Sequence, residues 1–231
     1  MTRIAHLTDL HLNGSYDRRS KFESGLRQAV QRGATYLLLT GDLTAHGKAI
    51  HFTELAGCLE QYWPYGVTMV GGNHDGAAFH KALGGPLRAF GEASAGPVDL
   101  GDCLIIPVAT YYHRRGLVFQ ALGRIGDAQL SSLETIFKTS TKPVVVAMHH
   151  GPQTDPVHAF AGLVDGRHLT ALLEAHSHVS VCCGHDHRVL DLGRVHAAAS
   201  VAHHPDPLRL YDVTPGGLQI VYSGSGGEYF G

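Results

Sequence analysis

Five apolar runs in this chain each lead into residues that bind cations. Ile4-Ala5-His6-Leu7-Thr8 leads into Asp9 and His11, and Tyr36-Leu37-Leu38-Leu39-Thr40 leads through Gly41 into Asp42. Val67-Thr68-Met69-Val70 leads through Gly71 and Gly72 into Asn73 and His74. Val144-Val145-Val146-Ala147-Met148 leads into His149 and His150, and Val179-Ser180-Val181-Cys182-Cys183 leads through Gly184 into His185 and His187. Carboxylate, amide and imidazole donors together suit borderline ions such as Zn, Mn, Fe, Co or Ni. They do not suit a calcium cage, which is mostly oxygen. Asp9-x-His11 and His185-x-His187 have the spacing that puts two side chains on one side of an extended segment. Asp42 is a single carboxylate between two groups of donors, suited to bridging two cations. Gly41, Gly184 and the pair Gly71-Gly72 let the backbone come close to such a centre.

Buried strands that end in polar residues place a site at the carboxyl edge of an α/β sheet. Further strand signals lie at Cys103–Val108, Arg194–Ala198, Leu208–Val213 and Leu218–Tyr222, and the turn Thr214-Pro215-Gly216-Gly217 makes the last two a hairpin. Apolar spacing predicts a helix from Ser20 to Gln31, opened by a Ser20/Glu23 capping box, with Phe22, Leu26, Ala29 and Val30 on one face. A second runs over Ala49–Tyr62, with Phe52, Leu55 and Leu59 inward. A third runs over Asp127–Lys138, N-capped by Asp127 and striped by Leu130, Leu133, Ile136 and Phe137. A fourth runs over Arg167–His176 and carries Leu169, Leu172 and Leu173. An α/β fold of two packed sheets with flanking helices accommodates both the βαβαβ start and the β-rich end.

A chain of 231 residues with no internal repeat, low-complexity tract or long linker reads as a single domain over 1–231. Hydrophobic content of 44% and charged content of 16% suit a soluble globular protein. A net charge of −2 gives no positive field to recruit nucleic acid or an anionic membrane, and an oligomer is compatible with the sequence. No run is long enough for a membrane span and no signal peptide is apparent, so the expected location is cytoplasmic. Cys58, Cys103, Cys182 and Cys183 lack the spacing of a disulfide framework and read as buried thiols.

In order, Asp9-Leu10-His11, Gly41-Asp42, Gly72-Asn73-His74-Asp75, His149 and Gly184-His185-Asp186-His187 match a known pattern. It is the D-x-H, GD, GNH[DE], H, GHxH series of the calcineurin-like metallophosphoesterases, which the chain resembles over about residues 1 to 200. The resemblance implies a four-layer α/β/β/α sandwich of two mixed β-sheets, with a di-metal site at the carboxyl ends of strands. One metal would take Asp9, His11, Asp42 and His187, and the other Asp42, Asn73, His149 and His185. The ions would be Mn, Fe or Zn, and His150 would be a neighbour of the ligand His149. Hydroxide held between such cations attacks phosphorus, and the cations clamp the oxygens of an in-line displacement. Asn73 would steady the charge on the equatorial oxygens. His74 would contact the phosphate and act as general acid, oriented by Asp75; a helix N-cap is the plainer reading of Asp75.

Within the family the chain looks most similar to the class III cyclic-nucleotide phosphodiesterase branch, through Gly41-Asp42-Leu43-Thr44, Gly72-Asn73-His74-Asp75-Gly76 and Gly126–Leu133. This implies hydrolysis of a phosphodiester, either a cyclic nucleotide or a small glycerophosphodiester-type molecule. The alternatives are a phosphomonoesterase or nucleotide pyrophosphatase of the same fold, and a non-catalytic scaffold. The scaffold reading is disfavoured because every ligand position and His74 are filled.

The chain has 18 His, and not all of them fit this scheme. His6, inside the first strand, reads as a satisfied buried imidazole. His51, His80, His158 and His168 read as scattered surface residues, and His176 and His178 as structural residues at a helix end. His46, on the loop after Asp42, either lines the substrate cleft or is solvated. Tyr111-Tyr112-His113-Arg114-Arg115 offers aromatics to stack a base and cations to hold a phosphate, or is a solvated loop. His203, in His203-His204-Pro205, is a candidate for the rim of the site.

Overall fold

The apolar runs fold as strands whose side chains are covered on both faces, and alternate residues meet different layers. The computed structural model describes residues 1–111, 122–152 and 162–224. The first half runs β1 (Arg3–Leu7), α1 (Tyr16–Gln31), β2 (Tyr36–Thr40), α2 (Ala49–Tyr62) and β3 (Gly66–Val70). Next come α3 (Ala78–Leu83), a 3-10 turn at Arg88–Phe90, α4 (Glu92–Ala95), β4 (Val98–Asp99) and β5 (Leu104–Pro107). Then follow α5 (Asp127–Thr139), β6 (Val144–Ala147), α6 (Gly166–Ala175), β7 (Val179–Cys183) and the hairpin β8 (Leu190–Leu192) with β9 (Val195–Ala197). The described chain closes with β10 (Arg209–Thr214) and β11 (Gly217–Ser223).

Two sheets result, a five-stranded one in the order β11-β10-β1-β2-β3 and a six-stranded one in the order β4-β5-β6-β7-β9-β8. In the first, β1, β2 and β3 are parallel, β10 is antiparallel to β1, and β11 is antiparallel to β10. In the second, β5, β6, β7 and β9 are parallel, with antiparallel β4 and β8 at the edges. Both sheets are therefore mixed, and the four-layer sandwich follows from how their faces pack. Ala5, Leu7, Leu37 and Leu39 pack outward against Phe22 and Leu26 of α1 and Phe52 and Leu55 of α2. Val144, Val146, Val179 and Val181 pack outward against Leu133 and Phe137 of α5 and Leu169 of α6. Their neighbours Ile4, Tyr36 and Leu38 face Ile105, Val145, Ala147 and Cys182 across the space between the sheets. Burying each such aliphatic side chain stabilises the fold by roughly 1.5–3 kcal/mol relative to leaving it in water.

Several local expectations need correction. Helix α1 begins at Tyr16, one turn before Ser20, so Ser20 is a helix-interior residue and its hydroxyl donates to the Asp17 carbonyl at 3.0 Å. Glu23 forms no capping box; it accepts from Arg19 Nε at 2.8 Å. Helix α5 is N-capped by Gly126, and Asp127 is its first residue, where its charge complements the helix dipole. His51 is buried, with Nδ1 3.6 Å from Glu54 Oε2. The stretch from Ala78 to Asp99, where the only expectation was a helix start after Gly76, holds α3, α4 and β4. All four cysteines are free and buried. Among the described residues no helix is long and apolar enough to cross a membrane.

Candidate metal centre

The parallel strands of both sheets deliver their carboxyl ends to one place. Loops from the first sheet knit together there, through Asp9 N to Gly41 O at 3.0 Å and His11 N to Asp42 O at 2.9 Å. The second sheet joins through Gly184 N to His149 O at 3.0 Å and His185 N to Asp9 Oδ2 at 3.0 Å. Two glycines make this approach possible. A Cβ on Gly184 would collide with Thr8 Oγ1 and Asp9 Oδ2, and one on Gly72 would collide with the Asp42 carboxylate.

The ligand pairs converge in a different way from the one their spacing suggested. Asp9, His11, Asp42, His185 and His187 all have positive φ, between 45° and 73°. Asp9-x-His11 and His185-x-His187 are therefore not extended segments with one shared face. Each donor sits in a left-handed turn just past its strand. Non-glycine residues rarely adopt that conformation, and it is concentrated at sites where the surrounding structure enforces it.

The donor atoms form two groups around Asp42. In one, His11 Nε2 lies 3.3 Å from His187 Nε2, and His187 Nε2 lies 3.2 Å from Asp9 Oδ1. In the other, His149 Nε2 lies 3.1 Å from Asn73 Oδ1 and 3.3 Å from His185 Nδ1. Asp42 Oδ2 stands between them, 3.8 Å from His11 Nε2 and 3.4 Å from His149 Nε2. Donor atoms of Asp9, His11 and His187, of Asp9, Asp42 and His149, of His149, His150 and His185, and of His11, Asp42 and His74 lie close enough to share an ion.

A cation fits this arrangement. Asp9 Oδ2 is satisfied by Thr8 Oγ1 at 2.8 Å and by His185 N, but Oδ1 is buried and, although His187 Nε2 lies 3.2 Å away, no donor among the described residues is aligned on it. A buried carboxylate oxygen left in that state is costly unless a positive charge meets it. The charges of Asp9 and Asp42 are held in place even though burial opposes them, with His187 and His149 pulling Asp9 down and His149 pulling Asp42 down. The same two carboxylates outweigh burial at His149 and push its imidazole up to about 9. At His11 and His185 burial wins, lowering both to about 4 and leaving them as neutral donors. His149 Nδ1 meets the Thr40 carbonyl at 2.8 Å, which fixes the proton there and turns Nε2 toward the centre.

His74 and Asp75 divide differently from the expectation. His74 Nδ1 meets the Ala45 carbonyl at 3.0 Å, leaving Nε2 4.0 Å from Asp42 Oδ2, and its backbone N–H donates to Asp42 Oδ1 at 2.9 Å. Asp75 does not orient the His74 ring and caps no helix. Its carboxylate accepts from Leu43 N at 2.9 Å, Thr44 N at 2.8 Å, Thr44 Oγ1 at 2.9 Å and Gly72 N at 3.0 Å. It clamps the loop after β2 to the loop after β3. Burial first, and then the neighbouring Asp42 charge, raise Asp75 to about 6 in spite of these bonds.

One family pattern accounts for these loops, and the model for calcineurin-like phosphoesterases matches residues 2–189. The chain belongs to that family. Two Synechococcus proteins named "Probable cyclic nucleotide phosphodiesterase" are similar along the chain. The one from strain WH7803 is 30% identical over 207 residues, covering 81% of this chain and 75% of its own. The one from strain ATCC 27144 is 28% identical over 202 residues, covering 83% and 75%. Among solved structures, a dimetal phosphatase from Danio rerio superposes with a TM-score of 0.73 at 12% identity, covering 91% of this chain and 92% of that one. GAP50, the anchor in the inner membrane complex of Plasmodium, superposes with a TM-score of 0.63 at 12% identity, covering 92% and 81%. At such identities the likeness speaks for the fold alone.

Family membership leaves the remaining candidates to be placed one by one. His46 is exposed on the loop after Asp42. His113 and Arg114 lie outside the described residues, whereas the Tyr111 hydroxyl lies beside Gly76, just past the His74 loop. His203 stands at the centre's edge, its ring stacked on His187 with centroids 5.0 Å apart and 5.9 Å from the His11 ring. Burial, and then His187, Arg18 and Lys21, hold its imidazole below the ordinary range. His6 is a satisfied core residue, with Nε2 2.7 Å from Thr40 Oγ1. His150 is buried, with Nδ1 2.8 Å from Thr110 Oγ1 and Nε2 without a partner among the described residues. The supporting residues Thr8, Thr40, Thr44 and Ser200 carried no recognisable signal in sequence beyond standing next to ligands or at strand ends.

Proposed function

We propose that this chain is a metal-dependent phosphodiesterase acting on a cyclic nucleotide or a small glycerophosphodiester-type substrate. The observation that carries the reading is Asp42, a buried carboxylate between two groups of imidazole, amide and carboxylate donors. One cation would be held by Asp9, His11, Asp42 and His187, and a second by Asp42, Asn73, His149 and His185. Bound there, two cations lower the pKa of water and neutralise charge on the phosphoryl oxygens. The names of the Synechococcus relatives, which refer to cyclic nucleotides, support a diester rather than a monoester substrate.

The side chains then have separable tasks. Thr40 holds the proton of His149 on Nδ1, so Nε2 is the nitrogen that would give its lone pair to a cation at the centre. Asn73, with Oδ1 at His149, keeps an amide N–H for a phosphoryl oxygen. Ala45 holds a proton on His74 Nδ1, so a second proton, at Nε2, is the one His74 passes to the leaving oxygen. Asp75 fixes both loops that carry Asp42, Asn73 and His74.

The test is steady-state kinetics of protein reconstituted with Mn, then with Fe and Zn. The first substrates are bis(p-nitrophenyl) phosphate and p-nitrophenyl phosphate, followed by 3′,5′- and 2′,3′-cyclic AMP. Preference for the diester with cyclic-nucleotide turnover is the expected result. Preference for the monoester moves the protein to the phosphatase side of the family, and no turnover with metal bound overturns the enzymatic reading.

A further inference from the structure

His203 is exposed at the edge of the centre but is not loose. Its ring lies nearly parallel to His187, at 23°, and its Nδ1 is 3.0 Å from Ser200 Oγ. The Ser200 hydroxyl already donates its one hydrogen to the Asp9 carbonyl at 2.9 Å. It therefore only accepts from His203, which fixes the His203 proton on Nδ1. The loop is held as well, by His204 N to Ser200 O at 2.9 Å and by Lys21 Nζ to Ala202 O at 3.1 Å. A neutral His203 thus presents Nε2 as an oriented lone pair beside the Asp9, His11 and His187 group. Among the described residues none donates to it, and His203 is in none of the convergent donor groups.

A lone pair in that position has no use for phosphoryl oxygens, which are themselves acceptors; it needs a donor. We propose that His203 is a substrate-contacting residue whose Nε2 accepts a hydrogen bond from a hydroxyl adjoining the phosphoester. In a 3′,5′-cyclic ribonucleotide that hydroxyl is the ribose 2′-OH, the one sugar hydroxyl left free. The proposal rests on the phosphodiester reading above and makes the enzyme selective for hydroxylated over deoxygenated substrates.

The experiment compares 3′,5′-cyclic AMP with its 2′-deoxy analogue, in wild type and in His203→Phe, which keeps a ring on His187 but has no acceptor. Wild type favours the ribonucleotide in kcat/KM by roughly three- to tenfold, the worth of one hydrogen bond. His203→Phe loses more on the ribonucleotide than on the analogue, bringing the ratio near one. Calorimetric titration with AMP and 2′-deoxy-AMP gives the same ratio as Kd values without turnover. Equal losses on both substrates, or a wild-type ratio near one, overturn the contact while leaving the phosphodiesterase reading intact. Turnover of bis(p-nitrophenyl) phosphate with neither cyclic nucleotide accepted overturns the cyclic-nucleotide reading and the contact with it.

Discussion

On the proposed reading, the Asp42 carboxylate is what separates a one-metal from a two-metal centre. Asp42→Asn keeps the shape and removes the charge that both donor groups approach. Metal content measured by mass spectrometry should fall from two ions per chain to one or fewer, and diester turnover by at least about a hundredfold, the low end of what removing one key polar group costs. Circular dichroism should not change, because Asp42 forms no part of the apolar cores. Near-wild-type activity at saturating metal would refute the bridging role. His74 is separable from it by leaving group. Its side chain is 45% exposed, and its ring is held by Ala45 rather than by a metal-ligand partner. His74→Ala should reduce turnover by about 10²–10⁴ on an alkyl ester and by much less on a p-nitrophenyl ester, whose leaving group needs no proton. The same loss on both would mean that His74 binds phosphate without acting as an acid.

At the scale of elements, the two loops that follow β2 and β3 depend on one buried carboxylate. Removing the Asp75 side chain strands the N–H groups of Leu43, Thr44 and Gly72. Each unpaired buried donor costs about 1–3 kcal/mol. Asp75→Ala should lower the melting temperature and weaken metal binding together, and Asp75→Asn, which retains one acceptor oxygen, should be intermediate in both. Unchanged metal affinity in a folded Asp75→Ala protein would show that the clamp is dispensable. The elements also show what sequence could and could not convey. Runs such as Val144–Ala147 are apolar on both faces, so their burial between layers was legible from composition. The candidate donors at their ends stood out because metal chemistry restricts the residue types, and the fold brings them together. The left-handed turns at Asp9, His11 and Asp42 were not legible, because Asp and His, although enriched at positive φ, adopt it far less often than glycine and do not mark it by themselves. The role of Asp75 was hidden for a similar reason: its partners are backbone amides more than 30 residues away as well as its near neighbour Gly72. Asp127 misled because a capping residue is also tolerated inside a first turn, and Ser20/Glu23 because the same spacing occurs inside a helix that starts a turn earlier.

The whole molecule places polar groups in the layer between its sheets, and that layer sets its response to acid. Arg209 of β10 is fully buried and grips Asp191 of β8, at 2.7 Å and 2.9 Å, tying edge strand β8 of one sheet to the other sheet. His196 joins the same carboxylate at 2.9 Å. Nearby, His6 is entirely buried between Thr40 and Tyr211. Burial first, and then the positive charge of Arg209, depress its imidazole to about 3. In the unfolded chain the same ring titrates near 6.5. The fold therefore holds His6 neutral, and this contribution is complete above pH 6.5. It is lost as pH falls from 6.5 toward 3, because only the unfolded state takes up the proton. The loss is about 1.4 kcal/mol per pH unit. Chelator-treated protein separates this effect from acid release of metal. Urea unfolding of that protein at pH 6 and pH 5 should show a stability slope that His6→Gln reduces by about 1.4 kcal/mol per unit. Gln offers an amide to Thr40 in place of the ring and has no titratable group. An identical slope in the variant would mean that His6 gains a proton in the folded state, and that the layer between the sheets opens to water before the protein unfolds.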